Sequence, residues 1–292
     1  MPAISVILPT RDRPELLDRA VASVLAQTDA DFELIVVDNN SSTPPLDPAT
    51  SPFLADPRIR IVRNPEAQNA SQARNAGLAA ATGEWISYLD DDDEYAPGKL
   101  SRCLARALAE KANLVLCGAT LLLNKRRRNL QCEKTNVSGD ALLNDARWST
   151  PLLFHHSLAS LKFDESLSAG EDAYFAHSLL ARWEVSHVPV VPEPLVIMHQ
   201  EGPQRPRTNL RGEDSWRASR RLWWQCGRRY SKAARRLFVL RSLVAREKTR
   251  RHPLACLGLA CRLLRTGGPP QLRFALNAFV LSCGLGRGRL VS

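Results

Sequence analysis

Apolar positions along this chain change their period repeatedly. Residues 3–10, AISVILPT, form an aliphatic, β-branched run of strand length that ends in Pro-Thr. In PELLDRAVASVLAQT, Leu17, Val21, Val24 and Leu25 recur at helical spacing, and Pro14 suits a first helical turn. FELIVVDNNSS is a second continuous apolar run closed by a polar turn, and RIRIVRN is a shorter third. SQARNAGLAAATG predicts an Ala-rich helix capped by Ser71 and stopped at Gly83. EWISYL reads as a fourth strand, PGKLSRCLARALAEK as another amphipathic helix, and NLVLCGATLLL as another strand.

Strands alternating with helices predict an α/β fold. Its crossovers are right-handed and its sheet is Rossmann-like, mostly parallel and flanked by helices. Ligands of such sheets bind outside the carboxyl ends of the strands. The polar residues expected there are Thr10-Arg11, Asp38-Asn39 and Asp90–Asp93. Three strand ends therefore deliver polar groups to one crevice. Beyond residue 125 the rhythm weakens. NKRRRN reads as a basic loop. FDESLSAGEDAYFAHSLLARW reads as a turn, then a helix opened by Glu171-Asp172 with Phe175, Leu179 and Leu180 on its apolar face. EVSHVPVVPEPLVIMHQ reads as two short extended pieces. From Arg205 the segments are helical and Arg-rich, with Trp216, Trp223 and Trp224.

Charge sharpens that division. The 292 residues carry a net charge of +10, enough length for one large domain or two modest ones. Residues 1–204 hold 19 Lys and Arg against 27 Asp and Glu, whereas residues 205–292 hold 21 against 3. We therefore expect an acidic α/β domain over 1–204 and a basic, mainly helical region over 205–292, the latter facing an anionic partner. Arg and Trp together suit an anionic membrane surface, and the same composition suits nucleic acid or a merely solvated face. Seven scattered cysteines without a C-x-x-C spacing fit neither a disulfide framework nor a zinc site. They read as small buried hydrophobes in a reducing compartment. The chain enters strand-like residues at once, so a secretory signal is not expected. The apolar stretches 254–264 and 274–285 are short and interrupted for a membrane span. A cytoplasmic protein with peripheral contact at the inner membrane face is the expectation.

The chemistry concentrates at SYLDDDDEYAP, residues 87–97. Like charges this close repel, so the cluster is either a solvated turn or a cation site. Around it, SVILPTRDRPELLDRAVASVLAQT, FELIVVDNNSS, ASQARNAGLAAATGEWISYLDDDDEY and AGEDAYF resemble, in order, the motifs of the family 2 glycosyltransferases, which have the GT-A fold. The resemblance covers residues 3–200. It implies that the sheet binds a nucleotide-diphosphate sugar, with a UDP-sugar favoured, and that Asp90 and Asp92 are the D-x-D carboxylates at the ribose and the metal. Asp91 stands where the family's spacer is small or neutral, which leaves the ligating set open. Pro9, Thr10 and Arg11 resemble the first nucleotide-contacting turn. Asp38 resembles the residue that contacts the base, and Arg74 a nucleotide-pocket arginine. Asp172 resembles the general base. His199 resembles a polar residue near the metal or diphosphate.

Physical chemistry supports the metal. A sugar nucleotide is anionic and carboxylates alone would repel it, whereas Mg²⁺ or Mn²⁺ bridges carboxylate and phosphate oxygens. Such a cation also stabilises a departing diphosphate. A base at Asp172 needs a raised pKa, from partial burial or from Glu171 beside it. Read without the resemblance, Glu171-Asp172 could equally be favourable charges at a helix start, Asp38 a turn former, and Arg74 an exposed helical arginine. Two functions emerge. One is a metal-dependent inverting glycosyltransferase that acts on a glycan or lipid-linked acceptor in cell-surface polysaccharide or lipopolysaccharide synthesis, with no nucleic acid expected. The other is a nucleic-acid-binding protein with a nucleotide-sensing α/β domain. A nucleotidyltransferase would show a Gly-rich phosphate loop after the first strand, and LPTRDRPE has no glycine.

Overall fold

A computed structural model describes residues 2–45, 52–123, 126–130, 135–143, 152–158, 160, 162–167, 170–183 and 187–199, together with 220, 221, 230, 231, 234, 238, 239 and 243. In chain order the elements are β1 (Ile4–Thr10), α1 (Pro14–Leu25), β2 (Phe32–Asp38), β3 (Ile59–Arg63), α2 (Ala70–Ala80), β4 (Trp85–Tyr88) and β5 (Glu94–Tyr95). Then come α3 (Lys99–Ala109), β6 (Leu114–Leu123), β7 (Arg126–Leu130), β8 (Asn136–Ser138), α4 (Gly139–Leu143), β9 (Leu152–His155), α5 (Glu171–Trp183) and β10 (His187–His199).

The strands form one sheet in the order β3-β2-β1-β4-β9-β6-β10-β5, with β7 added to β6 and β8 to β10. β3, β2, β1 and β4 are parallel, as the strand–helix rhythm predicts. The second half is mixed. β9 runs antiparallel between β4 and β6, and β10 is parallel to β6 but antiparallel to β5 and β8. Only β7 follows its partner by a short return, the hairpin from β6; the other antiparallel pairs join strands far apart in the chain.

β1 and β2 are buried along their whole length, which is why they read as unbroken apolar runs. One face of the sheet packs on α1 and α3 through residues such as Leu8, Leu17, Val21, Leu100 and Cys103. The other packs on α2 and α5 through Ile7, Val37, Leu78, Phe154 and Phe175. Gly77 makes the close approach of α2 possible. A Cβ there would lie 2.4 Å from Ile7 Cγ2 and 2.9 Å from Val37 Cγ2.

Four local expectations change. The cap of α2 is Asn69, whose side chain accepts from the Gln72 N–H, and Ser71 lies inside the helix. The helix ends at Ala81 in extended backbone, ahead of Gly83. The NKRRRN stretch is not a loop throughout: residues from Arg126 onward form β7, paired to β6 from Leu123↔Arg126 to Ala119↔Leu130. The two extended pieces near residue 190 are one strand, β10, with register shifts around Pro194. Prolines at 189, 192 and 194 withhold ladder donors, so the strand bulges rather than ending.

The bulge of β10 presses on Gly118 of β6, where a Cβ would meet the Pro192 and Glu193 carbonyls at 2.7 and 2.8 Å. Tyr230 and Ala234, beyond the division at residue 204, pack with Leu167 and Tyr174 against α5. Most of 205–292, including Trp216, Trp223, Trp224 and both apolar stretches, lies outside the described residues. Among those described, no helix is long and apolar enough to cross a membrane. Cys103 and Cys117 are buried thiols not joined by a disulfide, and the other five cysteines lie outside the described residues.

Candidate active site

The chain moves from β1 outward through β2 to β3, then returns through α2 to β4 on the other side of β1. The order therefore reverses between β1 and β4, and the crevice of an open α/β sheet opens at such a switch. Thr10 ends β1 in register with Asp38 at the end of β2, and Asp90–Asp93 follow β4. The structure thus sets the three expected strand ends side by side.

Asp91 bridges the switch. Its carboxylate accepts from Thr10 Oγ1 at 2.9 Å and from Arg13 NH1 at 3.1 Å. Burial pushes this carboxyl up, helped by the charges of Asp92 and Asp90 and opposed by Arg13 and Thr10. Arg19 donates to the Asp92 carbonyl at 2.8 Å and lies 3.3 Å from Glu94. Arg13, just before α1, and Arg19, within it, therefore grip the acidic turn from one side. With Asp91 turned toward β1 and α1, the carboxylates that converge are Asp90, Asp92 and Asp93, each offering an oxygen within 4.8 Å of the others. Three hard oxygen donors so placed fit a Mg²⁺ or Mn²⁺ ion.

Arg74, on α2, ties this cluster to the start of α5. It donates to Asp90 at 2.7 Å and to Glu171 at 3.2 Å, and its guanidinium stacks on Phe163. Burial works against its charge, but Asp90 and Glu171 overcome that, so it stays a cation. Burial also raises the Glu171 carboxyl, and Asp172 adds to the effect against the pull of Arg74. Asp172 Oδ1 accepts from the Ala173 N–H at 2.7 Å, as an acid at a helix N-terminus can.

Asp38 is almost wholly buried. It accepts from the Ser41 N–H at 2.9 Å and lies 3.4 Å from Arg63. Its Oδ2 and the neighbouring Asn39 Oδ1 are buried acceptors without a hydrogen bond. Pro9 is buried within β1, and Arg11 is exposed, 3.8 Å from Asp12. Asp12, at φ 53°, accepts from the Ser42 N–H and hydroxyl at 2.7 and 2.8 Å, which latches the β1 and β2 turns together. His199 sits beside the acidic turn rather than among the three converging carboxylates. Its N–H donates to Asp93 at 3.0 Å, and its ring meets Glu94 at 2.5 Å.

Sequence reasoning did not single out Arg13, Arg19, Asn75 or Phe163. Asn75 clamps Phe163 with both amide atoms, at 3.0 and 2.9 Å, and Phe163 stacks on Phe175 of α5 at 4.0 Å. One signal for Asn75 was present in the sequence, since it adjoins Arg74 in the same ARNAG stretch.

The model of glycosyl transferase family 2 matches residues 5–163. Succinoglycan biosynthesis protein ExoO of Rhizobium meliloti (strain 1021) is 29% identical over 198 residues, covering 62% of this chain and 56% of its own length. A GalNAc(5)-diNAcBac-PP-undecaprenol beta-1,3-glucosyltransferase of Campylobacter jejuni is 40% identical over 111 residues, covering 37% of this chain and 35% of its own. The match thus spans little more than half, or less, of these curated relatives. Among solved structures, S. aureus TarS 1-349 in complex with UDP-GlcNAc superposes with a TM-score of 0.67 at 20% identity, over 96% of this chain and 81% of that one, and shares the fold. With more than half of its length matched by the family model, the chain belongs to glycosyl transferase family 2.

Proposed function

We propose that the chain is a metal-dependent inverting glycosyltransferase. It moves a sugar from a UDP-sugar to a hydroxyl of a glycan or lipid-linked acceptor, in the synthesis of a cell-surface polysaccharide or lipopolysaccharide. One observation carries this reading: Asp90, Asp92 and Asp93 converge at the topological switch of the sheet, beside an arginine that reaches the start of α5. The named activities of the Campylobacter and Rhizobium relatives favour a lipid-diphosphate-linked acceptor and a polysaccharide product.

Asp90, Asp92 and Asp93 would hold the cation, which when bound neutralises the donor diphosphate and stabilises it as a leaving group. The chain's own residues do the remainder. Asp38 and Asn39 offer buried acceptors to the N–H groups of a base. Thr10 and Arg13 hold Asp91 aside, which orients the other carboxylates. Arg74 fixes Asp90 and, through Glu171, the first turn of α5. Asp172 takes the proton from the acceptor hydroxyl as it attacks the anomeric carbon opposite the leaving diphosphate, so the configuration inverts. His199 supports the turn through Asp93 and Glu94. Residues 1–204 form the transferase domain, and the basic 205–292 region supplies peripheral contact with the inner membrane face.

The test separates binding from chemistry. Asp172→Asn should keep metal-dependent UDP-sugar affinity, measured by calorimetry, while transfer falls by about 10²–10⁴-fold, the range for loss of a general base. Loss of binding together with transfer would contradict the role given to Asp172.

A further inference from the structure

β6 pairs with β10 along one edge from Leu116 to Leu122. Its other edge is shared: β9 takes Leu114–Leu116, and β7 takes Ala119–Leu123. β7 therefore stands end-on above β9, on the side of β4, whose carboxyl end carries the aspartates. The β6–β7 hairpin thus projects beside the crevice, on the half of the sheet that also bears α5 and Asp172.

Three consecutive arginines, Arg126, Arg127 and Arg128, form this strand, and all three are exposed. Among the described residues no carboxylate pairs with them. Three adjacent like charges on one hairpin repel, which makes an anionic ligand favourable there. Arg127 lies opposite Leu122, which in turn lies beside His199 in β10. At strand spacing, the Arg127 and His199 backbones are about 10 Å apart. The His199 N–H is bonded to Asp93, one of the converging carboxylates.

Alternation places Arg126 and Arg128 on the same hairpin face as their cross-strand partners Leu123 and Leu121, which are half-buried. The hairpin therefore offers cationic and apolar surface side by side. A second diphosphate brought toward the donor site would meet the acidic turn and the donor's own phosphates, both negative. It would need its own cations, and the exposed arginines of β7 supply them at the same carboxyl edge of the sheet.

The geometry points to the β6–β7 hairpin as the site that binds the diphosphate of a lipid-linked acceptor, with Arg126 and Arg128 engaging the phosphates, Arg127 adding charge from the opposite face, and Leu121 and Leu123 flanking the start of the isoprenoid chain. This rests on the transferase reading above and adds to it the acceptor's anionic group and the residues that hold it. Arginine forks pair with phosphate oxygens bidentately and keep their charge throughout the physiological range.

Farnesyl diphosphate is the probe, titrated into the full chain by calorimetry in EDTA, so that the carboxylate site cannot hold it through a metal. The chain should bind it and not farnesol. Arg126→Gln/Arg127→Gln/Arg128→Gln should weaken binding by about tenfold for each arginine engaged. UDP affinity with Mn²⁺ should stay unchanged, which also shows that the variant folds. If the unaltered chain binds UDP with Mn²⁺ but the triple variant keeps its farnesyl diphosphate affinity, the hairpin assignment falls and the transferase reading stands. If the unaltered chain fails to bind UDP with Mn²⁺, the transferase reading falls. Binding to phosphatidylglycerol vesicles as strong as to farnesyl diphosphate, with equal loss in the variant, would overturn the assignment in favour of a lipid surface.

Discussion

Asp91 differs from Asp90, Asp92 and Asp93 in what surrounds it rather than in its chemistry. It is turned toward Thr10 and Arg13, while the other three converge. Asp91→Asn removes a charge that burial and two neighbouring aspartates disfavour, and it also removes the partner of Arg13. Arg13 keeps Asp92 within 3.9 Å. These opposing effects should leave stability within about 1 kcal/mol of the parent and Mn²⁺-dependent UDP affinity within about fivefold. A chemical denaturation curve and a calorimetric titration check both, and loss of UDP binding would place Asp91 among the metal ligands. The four aspartates were legible as a cluster in the sequence, but their division was not. Which of four consecutive side chains turn the same way is set by the local dihedrals of a turn and by what β1 presents to it. Arg13 and Arg19 were hidden for a similar reason: charged side chains just before and within an amphipathic helix read as solvent-facing, and only the sheet order brings them to the turn after β4. The cap of α2 shows the same limit, because Asn69 and Ser71 can both cap and residue type does not choose between them.

The elements whose period was strong, from β1 to α3, lie where the apolar pattern puts them, because burial on one or both faces imposes that pattern. β7 and β10 do not follow it. Arg-Arg-Arg-Asn has no strand signature of its own, and its pairing comes from β6, an effect of context rather than propensity. In α5, His177 sits on the buried face, where its ring meets Tyr230 Oη at 2.7 Å. Burial pushes its pKa down to about 4 from an ordinary 6.5. The folded state therefore excludes a proton that the unfolded chain binds. The stabilisation is complete above pH 6.5 and is lost as pH falls toward 4. Between pH 7 and pH 5 the loss from this group is about 2 kcal/mol. Urea midpoints for the parent and for His177→Gln should converge by that amount over this interval. Parallel pH profiles would show that His177 titrates normally in the folded protein.

At the scale of the molecule, charge is segregated. An acidic α/β body carries the converging carboxylates at its switch point, and a basic region follows residue 204. The body alone would repel a sugar nucleotide, so its acidity makes sense when a cation completes the site. Arg13 and Arg19 at α1 and Arg74 of α2 then hold the acidic turn from the two helices that flank it. Calorimetric titration of UDP into the chain with Mn²⁺, and again after EDTA, tests whether the cation is what admits the nucleotide. Binding should weaken by at least about tenfold in EDTA, and by a similar amount in Asp92→Ala with Mn²⁺ present. Equal UDP affinity with and without the chelator would contradict a metal-bridged donor site.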